Sequence, residues 1–122
     1  MAIHWMLHEG KKILHCDYRG LSHDLALFQL EKSISLLARC DEGVLLLSTF
    51  GDDEVDHQFV RSLHQLGRAL ARGAASKIAL VGVGSLKFVI REAYAPLTET
   101  DPVYFESEQE ALEWLVSMTD VS

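Results

Sequence analysis

Hydrophobic and polar positions alternate at the start of the chain. Ile3, Trp5 and Leu7 fall on one side of an extended segment, and His4, Met6 and His8 on the other. Glu9-Gly10 reads as a two-residue turn, and residues 13–18 run as a second strand ended by Gly20. Such a turn sets His8 opposite Lys11, Met6 opposite Ile13 and His4 opposite His15. Ile3, Trp5, Leu14 and Cys16 then share the other face.

The period changes after Gly20. Leu27, Leu30, Ile34 and Leu37 step by threes and fours, a helical stripe with Ser22 as N-cap and Asp24 in the first turn, ending near Cys40. Residues 44–47 are a continuous apolar run, which suits a strand covered on both faces. A second helix is predicted over 54–72, with Phe59, Leu63, Leu66 and Leu70 as its buried stripe and Gly73 closing it. Residues 78–83 read as another buried strand. Ser85 caps a third helix carrying Leu86, Val89, Ile90 and Ala93 on one side, and Pro96 stops it. Val103-Tyr104-Phe105 is a short last strand. Ser107-x-x-Glu110 is a capping box that opens a closing helix through Ala111, Leu112, Leu115 and Met118. The order β-β-α-β-α-β-α-β-α predicts an α/β fold: a mixed, largely parallel sheet of four to five strands, with helices on opposite faces.

Composition narrows the function classes. A chain of 122 residues fits one domain, and 48% apolar residues exclude a disordered tail or a disulfide mini-protein. No apolar run approaches the roughly 20 residues of a membrane span, and the opening residues lack the pattern of a signal peptide. The net charge is -7, and residues 92–122 hold eight acidic side chains and no Lys or Arg. An acidic surface repels phosphate backbones, so nucleic-acid binding is not expected. The acidic stretch reads as a solvated helix face or as a docking surface for a basic partner. Cys16 and Cys40 have no C-x-x-C spacing and fit reduced thiols in a cytoplasmic protein, Cys16 as a core residue.

Several constellations can carry chemistry. Gly82-Val83-Gly84-Ser85 with Lys87 stands where a strand hands over to a helix. Its N–H groups can cradle an anion, or its small residues can let the turn approach the sheet. It matches neither a P-loop nor a hydrolase elbow. Ser22-His23-Asp24 holds the three triad residue types, but consecutive residues at a helix start point apart, and capping accounts for Ser22 and Asp24. His4, His8 and His15 share one face of the hairpin, as zinc ligands or as exposed or packed histidines. His57, Arg61, His64, Arg68 and Arg72 form a polar stripe on the second helix. It is either a solvated face or a contact surface for an acidic partner, such as the acidic end of a second copy.

Lys12-Ile13-Leu14-His15-Cys16-Asp17-Tyr18-Arg19-Gly20-Leu21 resembles the K-x-I-L-x-x-D-Y-R-G-L opening of small bacterial STAS-like proteins, relatives of sporulation anti-sigma-factor antagonists. Residues 44–48, 77–87 and Phe105-x-Ser107-x-x-Glu110-Ala111-x-x-Trp114-Leu115 resemble their central strand, Gly-x-x-x-Leu-Lys turn and closing helix. The resemblance covers nearly the whole chain. It implies a STAS-like fold and a non-catalytic regulatory or protein-interaction module without a cofactor, with a protein partner or a second copy. It also implies an alternative, a binder of a small apolar or lipid-like ligand, for which Trp5, Met6, Phe28, Phe88 and Tyr94 serve as lining or as core. The antagonists carry a phosphorylatable Ser in an Asp-Ser-Ser/Thr-Gly turn before the second helix. This chain departs there, reading Ser48-Thr49-Phe50-Gly51-Asp52-Asp53-Glu54. The three acids read as ordinary acids at a helix N-terminus or, alternatively, as an imitation of a permanently phosphorylated state.

Overall fold

The structure is a computed structural model that describes residues 3–40, 43–51, 56–82 and 87–117. The strands are β1 (Ile3–His8), β2 (Lys11–Asp17), β3 (Val44–Thr49), β4 (Ala75–Val81) and β5 (Val103–Phe105). The helices are α1 (His23–Ala38), α2 (His57–Leu70), α3 (Lys87–Tyr94) and α4 (Glu108–Val116). A 3-10 turn at Ala95–Leu97 holds Pro96 and follows α3 directly. The element order is the one the hydrophobic pattern predicts.

The strands form one mixed sheet in the order β1-β2-β3-β4-β5. β1 pairs antiparallel with β2 in the predicted register, with His4 opposite His15, Met6 opposite Ile13 and His8 opposite Lys11. Glu9 at φ 49 and Gly10 at φ 81 make the turn. Positive φ at both central residues matches the twist of the flanking strands. β2, β3, β4 and β5 run parallel.

That strand order decides where the helices go. Three successive right-handed crossovers that all step the same way place α1, α2 and α3 on one face. The larger core cluster lies there. Leu14 and Cys16 of β2, Leu46 of β3 and Ile78 of β4 meet Leu30 and Ile34 of α1, Phe59 and Leu63 of α2, and Ile90 of α3. Tyr18 stacks on Phe50 at 5.1 Å, and Phe59 meets both rings edge-on. Among the described residues only α4 covers the opposite face, packing Ala111, Leu112 and Leu115 on Ile13, Leu47, Ala79 and Val81. Both faces are therefore covered, as the apolar strands predict, but three helices lie on one and a single helix on the other.

Caps set the helix ends. Ser22 accepts from the Leu25 N–H at 3.3 Å, and Ser107 and Glu110 form the predicted capping box. Asp56 accepts from the Phe59 N–H at 2.9 Å, so α2 begins later than predicted. Its buried stripe also corrects the prediction. Phe59, Leu63 and Gly67 are buried, while Leu66 is half-buried and Leu70 exposed. Gly67 lies where an added Cβ would stand 3.1 Å from Leu97, so the helix face turns toward the 3-10 segment. On α3, Ile90 and Ala93 are buried as predicted, but Val89 is exposed. Trp5, Phe28 and Phe88 are likewise exposed rather than core, whereas Tyr94 is buried.

Candidate functional site

The α2 stripe does not act as one unit. Asp56 ties the start of α2 to α1, because His23 Nδ1 lies 2.8 Å from its carboxylate and His23 Nε2 lies 3.1 Å from Gln58 Oε1. His57 is exposed in that first turn, and Arg68 sits in the last turn, where a cation suits the helix dipole. Arg72 lies past the helix end and lines a separate cavity with Leu37, Cys40 and Leu70. Arg61 and His64 are brought together with α3. They line an open groove of about 500 Å³ together with Val60 of α2 and Val89, Glu92 and Ala93 of α3. Sequence spacing marks Arg61 and His64; Val89 and Glu92 become part of the site only through the packing of α3 beside α2.

A second polar group forms at the carboxyl ends of β2 and β3. Arg19 makes a bidentate pair with Asp17, Nε to Oδ1 at 2.9 Å and a terminal nitrogen to Oδ2 at 2.8 Å. This pairing holds the Asp17 carboxyl below its ordinary range. His15 is 6% exposed, with Nε2 3.1 Å from Thr49 Oγ1 and 3.7 Å from Glu108 Oε1. Burial lowers its pKa from the ordinary histidine value more than the nearby carboxylates raise it, which favours the neutral ring. The hydroxyl and the carboxylate both address the same nitrogen. A relay from carboxylate through imidazole to nucleophile needs the two ring nitrogens separately, so these three side chains are not a triad. Through this group Glu108, the first residue of α4, comes within 4.0 Å of both His15 and Arg19. Sequence reading did not single it out, because His15, Thr49 and Glu108 are far apart in the chain; Asp17 and Arg19, two apart in one motif, are its only local signal.

The other candidate residues fall into place one by one. Ser48 and Thr49 are buried, and Tyr94 donates to Ser48 Oγ at 3.0 Å. Asp52, Asp53 and Glu54 lie outside the described residues, as do Gly84 and Ser85 of the anion turn, and nothing is described of the Lys87 side chain. Gly82, at φ 104, is described: a Cβ there would come within 2.1 Å of the Phe50 carbonyl oxygen. Its own carbonyl accepts from the Tyr104 hydroxyl at 3.0 Å. Gly82 thus lets the end of β4 pass close to Phe50 at the end of β3. Cys16 is buried and its thiol is pushed up to about 12 by desolvation, which makes it a core residue. His4 meets the His15 ring edge-on at 5.1 Å, while His8 lies four residue pairs along the hairpin beside Glu9. Among the described residues no group of three metal-ligating side chains forms. Trp5, Phe28 and Phe88 line three separate cavities, so they do not build one apolar chamber. Among the described residues no helix is long and apolar enough to cross a membrane.

Comparison of the chain with protein-family models, with curated proteins and with solved structures gave no match.

Proposed function

We propose that this protein is a non-catalytic regulatory or protein-interaction module of the STAS-like kind, and that the α2–α3 groove receives an acidic amphipathic helix of a protein partner. The groove carries the reading: Val60, Val89 and Ala93 in its lining offer apolar contact, and Arg61 and His64 line it beside them. Residues 57–72 hold three Arg and no Asp or Glu in a chain of net charge -7. Arg61 and His64 favour an acidic partner at this groove, where Glu92 is the one acidic lining residue among those described. The candidate nucleophiles Cys16, Ser48 and Thr49 are at most 2% exposed, which supports a binding role over a reaction.

The test uses a synthetic peptide with the sequence of residues 105–116, an acidic amphipathic segment, titrated into isotope-labelled full-length protein. The reading expects amide shifts concentrated at Val60, Arg61, His64 and Val89, weakened by salt and lost in Arg61→Glu. Shifts confined to other surfaces, or binding unchanged in Arg61→Glu, would overturn it.

A further inference from the structure

The two edges of the sheet are built differently. β5, at one edge, is three residues long. β1, at the other, is six residues long and contains no Pro, Lys or Arg. Short length, Pro, lysine or a covering segment are the usual means by which an edge strand is kept from pairing. β1 has none of the first three, and among the described residues no strand pairs with its outer side. It also leaves Trp5 41% and Leu7 72% exposed.

The hairpin determines which backbone groups face outward. In a two-residue hairpin the residues flanking the turn, here His8 and Lys11, exchange both hydrogen bonds, and bonded and non-bonded pairs alternate from there. His4, Met6 and His8 thus direct their N–H and C=O groups at β2. Ile3, Trp5 and Leu7 direct theirs away from the sheet. Trp5 and Leu7, two residues apart, also place their side chains on one face.

The segment His4-Trp5-Met6-Leu7-His8 is symmetric in character about Met6: histidines at both ends, large apolar residues at the second and fourth places. An antiparallel second copy laid along this edge with Met6 opposite Met6 sets each Trp5 against a Leu7. These are the residues whose backbone groups face outward, so each such pair is also hydrogen-bonded. Aromatic–aliphatic cross-strand pairs are favourable, and no like charges of Lys, Arg, Asp or Glu meet within the segment. Lys12, whose ammonium lies 4.9 Å from the centre of the Trp5 ring, belongs to β2 and does not occupy the edge.

We propose that two copies of this chain pair through β1, antiparallel and centred on Met6, joining their sheets into one. The interface shares no residue with the α2–α3 groove, so the two proposals stand or fall separately.

Sedimentation equilibrium of the full-length protein at rising concentration tests this. The wild type should pass from monomer to dimer. Trp5→Lys with Leu7→Lys puts lysines opposite lysines, and Trp5→Glu with Leu7→Glu puts glutamates opposite glutamates. Each variant alone should remain monomeric with an unchanged circular dichroism spectrum, and mixing the two should restore a dimer, because Lys then faces Glu. Met6→Cys in a Cys40→Ser background should oxidise to a disulfide-linked dimer, since a non-hydrogen-bonded pair brings Cα atoms to about 4.5 Å. A wild type that stays monomeric, a dimer indifferent to the charged substitutions, or failure of the mixture to pair would overturn the proposal. If a charged variant unfolds, the Met6→Cys oxidation decides: a crosslinked dimer upholds the register, and none refutes it.

Discussion

The two faces of the sheet solve the same problem unequally. On one, α1, α2 and α3 enclose a large cluster in which Tyr18, Phe50, Phe59 and Tyr94 pack ring against ring. On the other, among the described residues, α4 alone covers Leu47, Ala79 and Val81, and polar side chains enter the cover. His15 sits beside Glu108 at the start of α4, and Lys77, 7% exposed, donates from Nζ to the carbonyls of Trp114 and Ser117 at its end, at 3.2 and 3.0 Å. The difference follows from topology: parallel crossovers that all step one way stack their helices together, and the opposite face receives only what the chain adds after the last strand. A face held by one helix depends on how that helix is fastened, whereas a face held by three depends on packing.

Four substitutions or conditions sharpen this contrast, in order of expected effect. Phe59→Ala empties the centre of the aromatic cluster and should cost about 3–5 kcal/mol in urea unfolding. Leu115→Ala, under α4, should cost about 2–3 kcal/mol, because a single helix can settle into the gap. Equal losses at the two sites would erase the distinction. Lys77→Met keeps the apolar stem but leaves the α4 carbonyls without their charged donor. It should lower stability by about 1–2 kcal/mol, measured by thermal melting, with the loss of protection largest in α4.

The smallest effect is that of pH. The folded-state pKa of His15 is lowered by burial below its ordinary value of 6.5, so the unfolded chain binds a proton in the interval where the folded chain does not. The stability from neutral His15 is therefore complete above 6.5 and is lost as pH falls from there through the lowered folded value. As pH falls below 6.5, the urea midpoint of the wild type should decline more than that of His15→Gln.

Much of the fold is legible in the sequence, where local rules act alone. The β1–β2 register follows from a two-residue turn and strict alternation, and the α4 start follows from Ser107-x-x-Glu110. The helix faces are less legible. Period-3.6 counting selects Leu66 and Leu70 for burial, yet Gly67 occupies the inward position because Leu97, thirty residues later, comes close there. Which face each helix covers depends on strand order, which no local pattern contains. The candidate site divides the same way. Arg61 and His64 stand out by spacing, but the groove needs Val89 and Glu92 from another element, and His15 finds Thr49 and Glu108 only through the parallel pairing of β2 with β3 and the return of α4.

Native-state amide hydrogen exchange tests the inequality of the two faces most directly. Amides of β3 and β4 should exchange only through global unfolding, while those of α4 should exchange through a smaller opening that releases this helix and leaves α1 and α2 protected. If α4 is protected as strongly as α2, with the same dependence on denaturant, the single-helix face is as firmly closed as the other and the account is wrong.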